Sequence, residues 1–214
     1  MRRYSLFHTL RYLYAGQSFA RILMNYELAR HTLRGRVLDV GGGRNPDYYA
    51  YLRRAGDVSV EVIDGALTGI DFEKDPLPYG NRHFDTVLLC NVLEHVYDHQ
   101  FLLKEIRRVL ASHGTLLGFV PFWTGYHPDP HDYFRYTAEA LRRALFDAGF
   151  TNVDIRSVGR GPLLANFNTI VLSLPRFARP LAYCVYATFD ALFVRLRPRS
   201  MERNPLGYQF NAHV

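Results

Sequence analysis

Short apolar runs alternate with amphipathic segments along most of this 214-residue chain. The amphipathic segments Gln100–Ala111 and Thr137–Ala148 repeat apolar residues at helical spacing. Alternating strands and helices predict right-handed crossovers and a mostly parallel sheet covered by helices on both faces. We therefore expect a doubly wound α/β fold whose ligands bind at the carboxyl ends of the strands. The apolar runs that we interpret as strands are Arg36–Val40, Val58–Ile63, Phe84–Cys90, Gly114–Val120, Val153–Val158 and Gly207–His213.

Two regions lie outside this regular alternation. Residues 5–33 have helical spacing and are predicted to form two helices broken near Gly16, and a further helix is predicted over Asp47–Ala55. About 48 residues separate the last two strands, far more than a hairpin needs. We divide the chain into an N-terminal helical segment (1–34), an α/β domain (35–158 and 205–214) and a helical insertion (159–204).

The insertion is rich in aliphatic and aromatic residues, and arginines occur at positions 176, 179, 195, 197 and 199. Such a segment could form a lid over a substrate, lie in a membrane interface or form a homodimer face. Its uncharged stretch, Gly161–Pro175, is too short to cross a bilayer as a helix. Aromatic and basic residues near the N-terminus could extend the same surface: Arg2, Arg3, Tyr4, Phe7, Arg11, Tyr12 and Tyr14.

The chain is basic, with a net charge of +6 and 24 arginines among its 26 basic residues. This balance could serve nucleic acid, an anionic membrane or an acidic substrate. Because the charges are not gathered into one tract, an ordinary solvated surface is the simpler interpretation. Cys90 and Cys184 form no metal-ligand pattern or disulfide framework, and no signal peptide is recognised, so we expect a cytoplasmic protein.

The first predicted strand leads into three consecutive glycines, 41–43. Glycines let the backbone turn sharply and let a ligand approach it closely. The dinucleotide fingerprint fails, because Pro46 stands at its third glycine position when Gly41 and Gly43 fill the first two. We expect the Asp39 carboxylate to point at the ligand, where it would disfavour a pyrophosphate and favour a cation. This pattern argues against an NAD-dependent oxidoreductase.

Further motifs follow the next strands in order. Asp64 ends the second strand about 20 residues after the glycine loop, where an acid can accept ribose hydroxyls. Asp71-Phe72 precedes a Leu-Pro-aromatic sequence and Phe84-Asp85, and the next strand ends in Cys90-Asn91-Val92-Leu93-Glu94-His95-Val96.

Over residues 35–120 these motifs together resemble the class I S-adenosylmethionine-dependent methyltransferases. The resemblance implies S-adenosylmethionine as the cofactor and a seven-stranded sheet of order 3-2-1-4-5-7-6. It also implies that Asp64 binds the ribose, that Asp71 (or its competitor Asp75) accepts from the adenine amino group, and that the Phe72 N–H donates to the ring. The residues expected to bind the cofactor are Asp39, Gly41, Gly43, Asp64, Asp71, Phe72, Cys90, Asn91 and His95.

Glu94 and His95 could be catalytic, but a structural or cofactor-shaping role is favoured, and no metal site is predicted. The loop after the predicted strand Gly114–Val120, which is strand 5 of the family order, contains His127, His131, Asp132 and Arg135. Histidine suits proton removal near neutral pH, so His131 is the first candidate base and His127 the second. Asp132 could orient a histidine, and Arg135 could clamp an acidic substrate.

The alternative for this loop is a hydrogen-bonded lead-in to the helix that Thr137 begins. The loop resembles a variant found in methyltransferases of sugar or lipid-linked substrates. We therefore predict methyl transfer to oxygen or nitrogen of a small molecule, with a glycan- or lipid-linked acceptor favoured. A non-catalytic binding protein and a nucleic-acid methyltransferase are the alternatives. A nucleic-acid methyltransferase would be expected to carry an Asn-Pro-Pro-Tyr motif after the strand Phe84–Cys90. This chain has Cys90-Asn91-Val92-Leu93 at that place instead.

Overall fold

A six-stranded mixed sheet organises the computed structural model, which describes residues 5–44 and 46–214. The sheet order is β2-β1-β3-β4-β6-β5. The first four strands of this order are parallel, and β6 runs antiparallel to both β4 and β5. The strands are β1 (Thr32–Val40), β2 (Arg53–Ile63), β3 (Phe84–Cys90), β4 (Leu110–Pro121), β5 (Thr151–Val158) and β6 (Gly207–His213).

The prediction of seven strands is corrected to six for the described residues. The predicted order 3-2-1-4-5-7-6 has an edge strand, number 3, beside strand 2. Without that strand, and with the later strands renumbered, the predicted order is the observed one, β2-β1-β3-β4-β6-β5. Between β2 and β3 the chain forms only the short helix α3 (Gly65–Thr68) and turns. Pro76, Pro78 and Gly80 lie in this segment, and prolines cannot donate to a sheet ladder.

The helices mostly follow the predicted pattern. The N-terminal pair breaks at Gly16, which has a left-handed φ of +107°. The helix predicted over Asp47–Ala55 is only a 3₁₀ turn, Asp47–Ala50, because β2 begins earlier than predicted and its residue Arg53 pairs with Thr32. The helices are α1 (Leu6–Ala15), α2 (Phe19–Leu28), α4 (His99–Val109), α5 (Ala138–Asp147), α6 (Pro162–Ile170), α7 (Ala178–Leu196) and α8 (Ser200–Arg203).

Alternate residues of the central strands face two hydrophobic cores. Leu38 and Val40 pack in one core with α4 and α5, whereas Val37 packs in the other with α2 and α6. The sheet is therefore covered on both faces, as a doubly wound fold requires.

The region between β5 and β6 is helical. Helix α6 is part of the second core, where Phe167 packs against Phe19 of α2 with ring centroids 6.2 Å apart. Helix α7 leaves many apolar side chains exposed. Among the described residues, none of the helices combines the length and apolarity needed to cross a bilayer. Arg2, Arg3 and Tyr4, which we expected to extend this surface, lie outside the described residues.

Candidate active site

A cavity of about 620 Å³ opens at the carboxyl ends of β1, β2 and β3. This is the edge of a parallel sheet where ligands of doubly wound folds bind. Its walls come from the loops after these strands and from the loop after β4. The lining residues are Gly41, Asp64, Gly65, Ala66, Ile70, Asp71, Phe72, Glu73, Asn91, Val92, His95, Val96, Asp129, Pro130, His131 and Tyr133.

Gly41 brings the backbone of the glycine loop to the cavity wall. It has a φ of +74°, and a Cβ on it would lie 2.4 Å from Val92 Cγ2, so only glycine fits. The Gly41 N–H donates to Ile63 O at 2.7 Å, which fixes the turn against the end of β2. The bare backbone of Gly41 therefore faces any ligand in the cavity.

The 3₁₀ turn after the glycine loop is bound to the N-terminal helices through Asp47. Its carboxylate accepts from Gln17 Nε2 at 2.7 Å, Arg21 Nε at 2.9 Å and Asn25 Nδ2 at 2.9 Å. Helix α2 and the preceding turn thus hold the far end of the loop that lines the cavity.

Asp39 lies away from the cavity walls, contrary to the expectation that its carboxylate points at the ligand. It is completely buried, and its Oδ2 accepts from the hydroxyls of Tyr48 and Tyr49, both at 2.6 Å. Burial raises the pKa of Asp39 to about 6, although the two tyrosines lower it. Its carboxylate packs so closely against Gly42 that a Cβ there would lie 2.3 Å from Oδ2. Asp39 therefore supports the loop from within.

Asp64 lies on the cavity wall, as expected, and joins two loops. Its Oδ1 accepts from the N–H groups of Ala66 and Leu67 at the start of α3, and its Oδ2 accepts from the Gly43 N–H at 3.1 Å. Gly43 is not a lining residue, so its contact with the cavity is indirect, through Asp64. This carboxylate is positioned by three backbone donors.

Asp71 and Phe72 also line the cavity, whereas Asp75 does not. Asp75 Oδ2 accepts from the Asp71 N–H at 2.9 Å and so shapes the turn. The Asp71 carboxylate lies 2.7 Å from Lys74 Nζ, and this contact, with the Glu73 N–H, lowers the pKa of Asp71. Glu73 is a lining acid that sequence reasoning missed.

At the end of β3, Asn91 and His95 line the cavity, and Cys90 does not. Cys90 is buried, and burial raises the pKa of its thiol. Asn91 has a left-handed φ of +56°, and its Nδ2 lies 3.5 Å from Met24 Sδ of α2. The chain turns sharply here, which directs the following residues across the cavity.

The loop after β4 reaches the cavity through Asp129, Pro130, His131 and Tyr133. The predicted residues His127, Asp132 and Arg135 are not lining residues. Asp132 Oδ2 accepts from Arg135 Nη2 at 2.7 Å and from the His127 N–H at 2.9 Å. The Arg135 guanidinium holds the pKa of Asp132 well below its usual range. Asp132 and Arg135 thus have the contacts expected of a hydrogen-bonded lead-in.

Glu94 lies behind the cavity wall and is completely buried. Neither of its carboxylate oxygens has a hydrogen-bond partner among the described residues. Glu94 Oε1 lies 3.6 Å from His95 Nε2 and 3.8 Å from His127 Nε2. Its backbone oxygen accepts from the Tyr133 N–H at 2.7 Å, which joins the loop after β4 to the end of β3. Three polar residues from two loops therefore meet beside the cavity.

Comparisons with known proteins relate this chain to methyltransferases. The model of a family described as a methyltransferase domain matches residues 8–155. An uncharacterised protein of Mycobacterium tuberculosis is 30% identical over 152 residues, which are 63% of this chain and 50% of that protein. A probable S-adenosylmethionine-dependent methyltransferase of the same species is 29% identical over 115 residues, 51% of this chain and 39% of that protein. The chain therefore spans about half the length, or less, of these curated relatives.

Among solved structures, a SAM dependent methyltransferase from Archaeoglobus fulgidus aligns over 91% of this chain and 94% of its own. The TM-score is 0.53 and the sequence identity 17%, so this likeness concerns the fold.

Proposed function

Because this chain belongs to the methyltransferase-domain family of class I S-adenosylmethionine-dependent enzymes, we propose that it methylates an oxygen or nitrogen of a small-molecule acceptor. A glycan- or lipid-linked acceptor is the class we favour. The observation that carries the proposal is the cavity at the ends of three adjacent parallel strands, with acids from the β2–β3 connection and from the loop after β4 on its wall.

The residues present fit S-adenosylmethionine. A volume of about 620 Å³ falls within the range of small-molecule sites, roughly 300–1,000 Å³. Asp64 would hold the ribose, and Asp71 with the Phe72 N–H would hold the adenine. Four acids on the wall, Asp64, Asp71, Glu73 and Asp129, suit a cationic ligand. When bound, the cofactor supplies a methyl group whose leaving group is a neutral thioether.

The chain's own residues position the acceptor and handle its proton. His131 lies on the cavity wall, so its imidazole can take a proton from an acceptor hydroxyl or amine. His127 is the second candidate, and the Asp132 carboxylate fixes its backbone N–H. Alignment and exclusion of water do much of the work in such a displacement. Because Arg135 is paired with Asp132, we assign it to holding the loop.

Cofactor binding can be tested by isothermal titration of the purified chain with S-adenosylmethionine and S-adenosylhomocysteine. We expect both to bind, and Asp64→Ala and Asp71→Ala each to weaken binding by about 10- to 100-fold, the effect of losing a hydrogen bond to a charged group. Asp154 is an exposed acid on β5, and Asp154→Ala is the matched control, which should bind S-adenosylmethionine as the wild type does. Tight NAD binding without S-adenosylmethionine binding would overturn the proposal.

We also propose that the exposed side of α7 contacts an anionic membrane surface. The apolar side chains Leu181, Val185, Phe189, Leu192 and Leu196 follow one another at helical spacing and are all exposed. A surface of this kind is rare on a protein without a partner. The arginines around α7 favour a negatively charged surface, close to which a lipid-linked acceptor would be found.

A further inference from the structure

The cluster of Glu94, His95 and His127 is unusual because its polar atoms face one another. His95 Nε2 and His127 Nε2 both point to Glu94 Oε1, and the three potential ligand atoms all lie within 4.8 Å of one another. Glu94 is completely buried without a hydrogen bond to either oxygen in the part of the chain that the structure describes. A buried carboxylate without a partner is strongly unfavourable unless a cation or a proton neutralises it.

The backbone fixes which ring nitrogens are free. His95 Nδ1 lies 2.5 Å from His131 O, and His127 Nδ1 lies 2.8 Å from Gly125 O. A nitrogen this close to a carbonyl oxygen donates its hydrogen to it. When the imidazoles are neutral, the Nε2 atom of each therefore carries a lone pair, directed towards the carboxylate. Arg135 Nη2 approaches His127 from the Nδ1 side, at 3.3 Å, and leaves Nε2 open.

We propose that Glu94, His95 and His127 bind one divalent first-row transition cation, such as Zn²⁺ or Mn²⁺. Two imidazoles and one carboxylate are a common ligand set for such ions. Ligating histidines typically donate their other N–H to a backbone carbonyl, as both do here. Metal–ligand distances of about 2.0–2.2 Å require only a modest approach of the three side chains.

The cation would lie beside the cavity, because His95 also lines the cavity wall. Three protein ligands leave coordination positions open to an acceptor or water. A cation there would lower the pKa of a coordinated hydroxyl and orient its oxygen. This consequence rests on the proposed methyl transfer and favours a hydroxyl acceptor over an amine. The metal binding itself does not rest on it.

The test uses the full chain, freed of metal by a chelator and titrated with Zn²⁺, Mn²⁺ and Co²⁺. We expect one cation per chain by isothermal titration, and visible absorption of bound Co²⁺ that indicates nitrogen and oxygen ligands. Glu94→Gln, His95→Asn and His127→Asn should each weaken binding by at least about 100-fold, beyond the 10- to 100-fold typical of residues that only orient a ligand. His113 is an exposed histidine near the start of β4, at the end of the sheet opposite the cavity. His113→Asn should therefore leave metal binding unchanged.

The competing arrangement is a protonated His127 that neutralises Glu94 without a metal. Absence of saturable binding to the wild-type chain, or unchanged binding in Glu94→Gln and His127→Asn, overturns the metal site. Circular dichroism checks that each variant is folded, and His127 is half-exposed, so its substitution should be tolerated. A parallel titration of His127→Asn with S-adenosylmethionine separates the two proposals, because His127 is not a wall residue of the cofactor cavity.

Discussion

His131 is the histidine of the loop after β4 that lies on the cavity wall. If it takes the acceptor's proton, His131→Ala should lower turnover by about 10²- to 10⁴-fold, the usual contribution of a general base. S-adenosylmethionine affinity should stay within about threefold of the wild type, an effect below about 1 kcal/mol. The measurements are transfer of a labelled methyl group to cell-extract acceptors and isothermal titration of the cofactor.

The exposed His113 provides the control for this experiment, because it lies on β4 away from the cavity. His113→Ala should retain full turnover. Unchanged turnover in His131→Ala would remove His131 from the role of base.

Asp39 makes the stability of the fold depend on pH. Its pKa rises from 3.8 to about 6 on folding, chiefly through burial. Between these values the folded protein binds more protons than the unfolded chain, so the free energy of unfolding falls as pH rises from about 4 to about 6. Two pKa units correspond to about 3 kcal/mol. Above pH 6 the ionised carboxylate lowers stability by roughly that amount.

Asp39→Asn should remove this part of the pH dependence, because an amide does not ionise yet still offers an oxygen to Tyr48 and Tyr49. Urea unfolding of both proteins at several pH values between 4 and 8 measures the difference. We expect the stability of the wild type relative to Asp39→Asn to fall by roughly 2–3 kcal/mol between pH 4 and pH 8. Parallel pH profiles for the two proteins would contradict the assignment.

The position of Asp39 shows what sequence reasoning could and could not predict at this scale. The residue was rightly predicted to end a buried strand before a glycine loop. Its direction was missed, although residues of a strand alternate between faces. Val37 and Asp39 share one face, and that face is covered by α2 and by Tyr48 of the 3₁₀ turn. The tyrosine contacts depend on how that turn folds back, which spacing alone does not give.

At the level of elements, Asp190 joins the two longer helices between β5 and β6. It lies on α7, is buried, and its Oδ1 accepts from the N–H groups of Leu163 and Leu164 at the start of α6. Asp190→Ala would leave these donors without that acceptor. We expect a loss of about 1–2 kcal/mol in the free energy of unfolding, typical of a lost helix cap.

Asp190→Asn should lose less, since it keeps an oxygen at the same position. Urea denaturation measures both variants. The exposed ion pair of Asp154 and Arg156 supplies the control, because Asp154→Ala should change stability by less than about 0.5 kcal/mol. Equal stability of Asp190→Ala and the wild type would show that α6 does not depend on this cap.

Element prediction succeeded where the apolar pattern was unambiguous. All six strands were placed. A helix was predicted to begin at Thr137, and the Thr137 side chain accepts from Ala140 N at the start of α5. The seventh strand came from the family resemblance, with no apolar run assigned to it. The helix predicted over Asp47–Ala55 was too long, because Arg53 pairs with Thr32 of β1 and so belongs to β2. Pairing between distant strands cannot be deduced from local propensity.

For the whole molecule, charge distinguishes the proposed membrane contact of the exposed apolar side of α7 from a contact with a second copy of the chain. Arg176 precedes the helix, Arg195 lies in its last turn, and Arg197 and Arg199 follow it, all of them exposed. The acid of this helix, Asp190, is buried. In a twofold dimer through this face, arginines would meet arginines whether the two helices ran parallel or antiparallel. A surface of anionic lipids would instead attract both ends of the helix.

We therefore predict that the chain co-sediments with phosphatidylserine vesicles, binds phosphatidylcholine vesicles less well, and is released by salt, which screens the arginines. The double substitution Leu181→Glu with Phe189→Glu should reduce binding by at least about tenfold, because burying each apolar side chain contributes about 1.5–3 kcal/mol. Phe146→Glu, at an exposed phenylalanine of α5, should leave binding unchanged. Light scattering after gel filtration tests the other candidate. A dimer that the double variant dissociates, with no sedimentation of the wild type, would assign the α7 face to a second copy of the chain.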